Sequence, residues 1–167
     1  TGLMSDAYQN DEINEDALRP AMDSMAGLNR VAAEQMVVRD AHGCTDITGF
    51  GLMGHGLEMA IASGVGFRIR AADVPRFDLA LKIAEGREGG GLKRNRAARG
   101  DAVQFADNVA ESMRRLLFDP QTSGGLLIAL APDVADDLLK ALIDNGVSAS
   151  NIGEVVADHP GEIEVVA

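Results

Sequence analysis

Apolar positions recur at helical spacing through the first half of the chain and alternate with polar ones at several points in the second. Ala17, Ala21 and Met25 predict a helix from Asn14 to Met25, with Pro20 weakening its first turns. Val31, Ala32, Met36 and Val37 predict a second helix that Asn29 can cap and Gly43 breaks. Phe50, Met53, Leu57, Ala60 and Ile61 lie on one face of a third helix, which ends at Ser63-Gly64. Val65 to Arg70 alternates as a half-exposed strand, and Pro75 opens a short helix carrying Leu79, Ala80 and Ile83 up to Gly86. Val103, Ala106, Val109, Met113 and Leu117 read as one helix that stops before Pro120. Leu126 to Leu130 is a continuous apolar run, the pattern of a buried central strand. Pro132 starts a helix with Val134, Leu138, Ala141 and Leu142 inward and Asn145-Gly146 at its end. Ile152 to Ala157 is a strand, and Glu162 to Val165 alternates as an edge strand.

Two segments carry no such pattern. Residues 1–12 are polar and read as extended or mobile, and the opening Thr-Gly-Leu-Met-Ser-Asp looks like the middle of a protein, so an excised fragment is expected. Residues 86–100 read as a loop with five basic residues, Arg87, Lys93, Arg94, Arg96 and Arg99, against one acid, Glu88. A solvated mobile segment and an anion-binding flap are the two readings of that loop. The element order suggests α/β (α+β) architecture, a mixed sheet covered by helices.

Composition narrows the function classes. The 167 residues suffice for one domain with a real core. A net charge of −11 argues against nucleic acid as a partner. No apolar run approaches the ~20 residues of a membrane helix. The single cysteine, Cys44, fits a reducing cytosol, so a cytoplasmic location is expected.

Candidate chemistry gathers at residues 42–60. Five glycines fall between Gly43 and Gly56, three of them inside or at the mouth of a helix. Each costs about 1 kcal/mol in a helix interior, so the backbone there is expected to approach a ligand or another backbone closely. A glycine-rich helix start also presents free N–H groups and a positive dipole end, which suits phosphate. Gly49-Phe50-Gly51-Leu52-Met53-Gly54 has the G-x-G-x-x-G form, but no apolar strand precedes it, and Asp46 would repel a bare pyrophosphate. Asp46 beside a phosphate-friendly helix start favours a magnesium-bridged nucleotide, with a helix cap or Asx turn as the alternative. His42, Cys44 and His55 could suggest zinc but show no orderly spacing, and a core reading suits them better. Cys44 lacks a convincing base, His55 fits packing or hydrogen bonding at a helix crossing, and the methionines sit at core spacing. The turn Asp119 to Gly125 could contact phosphate through backbone N–H groups or simply lead into the following strand.

His42-Gly43-Cys44-Thr45-Asp46-Ile47-Thr48-Gly49-Phe50-Gly51-Leu52-Met53-Gly54-His55, followed by Glu58-Met59, resembles the signature of the selenophosphate synthetase (selenide, water dikinase) family. Met25 to Asn29, Gly90 to Asn95 and Asp119 to Gly125 agree in order. The likeness covers only the C-terminal domain of that enzyme. Related domains occur in aminoimidazole ribonucleotide synthetase, thiamine-monophosphate kinase and a hydrogenase maturation enzyme. The resemblance implies a three-layer α/β/α domain of partly ferredoxin-like topology over residues 14–167. Residues 1–13 would then be a linker from an N-terminal ATP-binding domain. It implies a reaction in which ATP, selenide and water yield selenophosphate, AMP and phosphate, with catalytic residues in the N-terminal domain and none here. Asp46 matches a magnesium ligand of the family, and Thr45, Thr48, Gly49 and Gly51 are the nucleotide-binding candidates around it. The full-length protein is expected to be a homodimer. Gly43 stands where Ala is usual, and Gly89-Gly90-Gly91 lacks an expected proline. Another ATP-dependent enzyme of the same superfamily, or a non-catalytic binding module with this fold, is the alternative.

Overall fold

Six strands divide into two sheets, and eight α-helices pack around them, in the computed structural model, which describes residues 1–167. In chain order the elements are α1 (Gly2–Gln9), α2 (Glu15–Ala26), α3 (Arg30–Val37), β1 (Gly43–Asp46), α4 (Gly51–Ser63), β2 (Gly66–Arg70) and α5 (Asp78–Gly86). There follow α6 (Gly90–Arg99), β3 (Val103–Phe105), α7 (Glu111–Leu117), β4 (Leu126–Ala129), α8 (Pro132–Asp144), β5 (Gly153–Val156) and β6 (Ile163–Val166). The four-stranded sheet runs β3-β6-β2-β5, and β1 and β4 form a separate two-stranded ribbon.

The larger sheet is mixed. β6 lies parallel to both β2 and β3, and β5 is antiparallel to β2. Period-2 alternation sets its two faces. Phe67, Ile69, Val103, Ile163 and Val165 are buried on one face, against Met53, Leu57 and Ala60 of α4. On the other, Arg68 reaches Glu164 at 2.6 Å and Glu154 at 3.1 Å in a solvent-facing ladder. β6 is central, not an edge strand: its alternation reports one wet face, which a central strand of a half-covered sheet shares. β2 and β3 flank β6 and are joined through α5 and α6, a split β-α-β unit of the kind found in ferredoxin-like folds.

The three layers are met at the ribbon. Leu126 and Ile128 pack with Ala32 of α3 and Leu138 and Leu142 of α8 on one side. Leu127 joins the α4 core on the other. β4 is therefore half-buried in a two-stranded ribbon, where the continuous apolar run suggests a central strand.

Three further expectations change. Residues 2–9 are helical, and Leu3, Met4 and Ala7 are buried, Leu3 in the main core and Met4 against Leu18, Ala21 and Ala80. Residues 90–99 form α6 instead of a loop. Its packed face, Leu92, Asn95, Arg96 and Arg99, has helical spacing but only one apolar member. Leu92 is buried, Arg96 pairs with Glu111 at 2.6 Å and Glu88 at 3.0 Å, and Arg99 faces Glu58 at 3.4 Å. The apparent helix over 103–117 divides, because Val103 belongs to β3 and only Met113 and Leu117 to α7. Arg114 closes the intervening turn, donating to the carbonyls of Ala106 and Val109, both at 2.9 Å. Smaller shifts accompany these: α5 begins at Asp78, and Asn29 precedes α3 without capping it by its side chain.

Candidate functional site

β1 leads directly into the glycine-rich turn, so a strand does precede the G-x-G-x-x-G run, although it pairs antiparallel with β4. Alternation along β1 leaves Cys44 and Asp46 exposed and draws Thr45 partly inward. Ile47 is buried at the ribbon's end. There the turn is joined to residues 118–125. Ile47 N–H donates to the Gly125 carbonyl at 2.9 Å, Gly124 N–H to Ile47 at 3.1 Å and Gln121 N–H to Thr48 at 2.9 Å. The reading of 119–125 as the connection into β4 is the one the bonding supports.

The glycines of the two turns serve that junction unequally. Gly51 has φ +69°, and a Cβ there would stand 2.9 Å from the Asp119 carbonyl oxygen. Its N–H turns back to the Thr48 carbonyl at 3.0 Å. A Cβ on Gly124 would stand 2.2 Å from the Ile47 carbonyl oxygen. The close approach expected of this region is thus, at both positions, to the chain's own backbone. Gly49 differs: it is exposed, and a Cβ there would meet nothing within 4 Å.

His55 holds the turn from inside α4. Phe50 N–H donates to its Nε2 at 3.3 Å, and the Thr48 hydroxyl lies 3.0 Å from the same atom. With Nε2 accepting, the ring proton belongs on Nδ1, which faces Glu58 at 3.4 Å. The buried His55 is therefore a hydrogen-bonding residue of the turn, as its setting between two glycines suggests. No three His, Cys, Asp or Glu side chains converge on a common point. The core reading of His42, Cys44 and His55 holds for His55 alone, because His42 and Cys44 lie exposed at the ribbon.

Asn95, within the segment read as a loop, is the residue that sequence reasoning missed. Its Nδ2 donates both to the Gly49 carbonyl at 2.9 Å and to the Phe118 carbonyl at 3.0 Å. Asn95→Ala strips both acceptors of their donor and is expected to destabilise the protein by about 1–3 kcal/mol. Chemical denaturation of the two proteins measures it; equal midpoints would remove Asn95 from the junction. Asp119 was likewise hidden within a turn. It is buried, and both its carboxylate oxygens accept from Leu3 N–H, at 2.9 and 3.2 Å, which anchors α1. Burial pushes its carboxyl above the usual range, against the pull of the donors around it.

Asp46 stands apart from this bonding. No side chain caps α4, and no donor reaches the Asp46 carboxylate, so the cap and Asx-turn reading falls. Only its main-chain carbonyl is engaged, by the Thr45 hydroxyl at 3.3 Å. Partial burial first, and then the Asp46 charge, push the Cys44 thiol up, which keeps it protonated and a poor nucleophile. Beside Asp46, the N–H groups of Thr48, Gly49, Leu52 and Met53 find no acceptor within the protein. An unpaired carboxylate and a row of unpaired donors thus share one turn.

A sequence model of the family "AIR synthase related protein, C-terminal domain" matches residues 2–166. The chain belongs to that family. Among curated relatives, this AIR synthase related domain is 47% identical over 160 residues to a selenide, water dikinase of Pelobacter propionicus, covering 95% of this chain and 46% of the relative. It is 37% identical over 166 residues to a selenide, water dikinase of Burkholderia orbicola, covering 98% and 47%. The chain spans about half the length of the curated relatives it matches. Among solved structures, a thiamine-monophosphate kinase from Stenotrophomonas maltophilia superposes with a TM-score of 0.52 at 15% identity, over 98% of this chain and 45% of that one. That likeness concerns the fold alone. No helix of the domain is long and apolar enough to cross a membrane.

Proposed function

We propose that the domain is the C-terminal half of a selenide, water dikinase, and that the turn after β1 completes a nucleotide site whose other groups lie in an N-terminal ATP-binding domain. The observation that carries this reading is the free Asp46 carboxylate next to four N–H groups without acceptors. The 47% identity to a relative of that name supplies the substrate class. ATP, selenide and water would yield selenophosphate, AMP and phosphate.

The residues present fit a shared magnesium site better than a self-contained one. Magnesium takes one or two protein carboxylates and fills its remaining positions with water and phosphate oxygens. Asp46 offers one such carboxylate, exposed and unpaired. The ion, when bound, supplies positive charge against the phosphate oxygens. Thr45, Thr48 and Gly49 line the same turn: Gly49 leaves room for a close approach, while Gly51 fixes the turn's shape from behind. His55 keeps the Thr48 hydroxyl in one orientation. Residues 1–13 would connect the two halves, with Gly2–Gln9 packed as α1. The full-length protein would act in the cytoplasm as a homodimer.

Product analysis of the purified full-length protein tests the reading. AMP should form from ATP only when selenide is supplied, with a phosphorus–selenium species visible by phosphorus NMR. ATP turnover indifferent to selenide would overturn the assigned substrate.

A further inference from the structure

β1 has a partner on one side only. The ribbon it forms with β4 is two-stranded, and the helices packed on it hold it in place while leaving the outer edge of β1 unpaired. Hydrogen bonding alternates along an antiparallel ladder. Since Ile47 donates to Gly125 at the ribbon's end, Thr45 faces β4, and the N–H and C=O groups of Cys44 and Asp46 face outward. β1 is four residues long and bears the exposed Asp46, which guard the edge against indiscriminate pairing, but no lysine or proline blocks it.

The same edge borders an apolar groove. Met36, Val37, Asp40, Ala41, Gly43 and Cys44 line a hollow of about 240 Å³ between the end of α3 and β1. Val37, which lines the hollow, is 70% exposed, and Val38, next in sequence and outside the lining, is 74% exposed, so the apolar surface continues past the groove's rim. α3 and α8 cover β4 but leave the outer face of Cys44 and Asp46 open. A strand edge short of a neighbour and an apolar floor short of a cover thus meet at one place.

We infer that β1 is completed by an extended segment from the other half of the full-length protein, which pairs with Cys44 and Asp46 and seats apolar side chains on Val37 and Val38. The length of the relatives supports an occupant in the same protein, because less than half of each is spanned by this domain. Charge supports its composition: Asp40 lines the groove and Asp46 lies two residues beyond Cys44 on the same strand, in a chain of net charge −11, so the segment is apolar with a basic flank. Strand addition of this kind takes affinity from main-chain hydrogen bonds and specificity from alternate side chains. The identity of the occupant rests on the proposed two-domain enzyme. The inference adds that the two halves are joined by strand pairing that ends at Asp46, so that the pairing itself delivers the carboxylate to the nucleotide.

Residue-resolved hydrogen exchange on the full-length protein tests it. The amides of Cys44 and Asp46 should exchange at least about 100-fold more slowly than in an unstructured peptide, as ladder-bonded amides do. In the double variant Val37→Asp, Val38→Asp both should become fast, while the core amides of Leu57 and Ile163 stay slow. Free-peptide exchange at Cys44 and Asp46 in the parent protein overturns the inference, and so does slow exchange that survives in the double variant. Protection lost on dilution to monomer would assign the strand to a second copy and also overturn it. The readout is separate from catalysis. Fast edge amides, together with a magnesium-dependent loss of activity on changing Asp46, would remove the strand and leave the site standing. Slow amides with Asp46→Asn fully active would remove the site and leave the strand.

Discussion

Asp46→Asn in the full-length protein is expected to abolish selenide-dependent ATP turnover while leaving the melting temperature nearly unchanged. The carboxylate is exposed and makes no bond or ion pair within the domain, so the stability change should stay within about 0.5 kcal/mol. Asn keeps the size and one carbonyl oxygen but neutralises none of a cation's charge. At limiting magnesium the loss of turnover should reach at least about 100-fold, with partial recovery as magnesium rises. Turnover and melting temperature measured across a magnesium series decide the matter. Full activity at limiting magnesium would take Asp46 out of the site. A large fall in melting temperature would instead give it a structural role that its surroundings do not suggest.

Gly124→Ala should cost about 3 kcal/mol of stability. The new methyl would fall 2.2 Å from the Ile47 carbonyl oxygen and 3.2 Å from its carbon, and both are backbone atoms with no rotamer to escape into. Relief requires parting the junction where Ile47 and Gly124–Gly125 exchange hydrogen bonds. Gly49→Ala is the matched control. With nothing within 4 Å of its Cβ, it should be neutral in stability, yet it should lower turnover if phosphate approaches that face. Denaturant midpoints of the two variants test the contrast. A Gly124→Ala protein as stable as its parent would sink it.

Much of this architecture was legible in the residues, and the losses have specific causes. α4 and α8 follow from apolar spacing and their Gly64 and Pro132 boundaries. α6 escaped because three of the four residues on its packed face are polar, so hydrophobic periodicity carried no signal for a helix held by Asn95, Arg96 and Arg99. The split of 103–117 escaped because a three-residue strand and a seven-residue helix happen to be spaced like one longer helix. At the site, the glycine density pointed correctly to close approach. Only the three-dimensional structure divides the glycines of the two turns into those that meet the protein's own backbone, Gly51 and Gly124, and those that face open space, Gly49 and Gly125. Asp119 could not be singled out among surface acids, since its burial depends on α1, a segment whose polar sequence hid the Leu3, Met4 and Ala7 face.

The place of β6 between β2 and β3 has a consequence for biosynthesis. During synthesis from the amino end, β2 and β3 leave the ribosome well before residues 163–166, and neither pairs directly with the other. Until that last strand arrives, Phe67, Ile69 and Val103 have no neighbour at the centre of the sheet. Closure of the sheet is therefore a late, long-range event, of the kind that slows folding. A nascent chain stalled before Ile163 would expose two strand edges at once, the kind of surface through which partly folded chains aggregate.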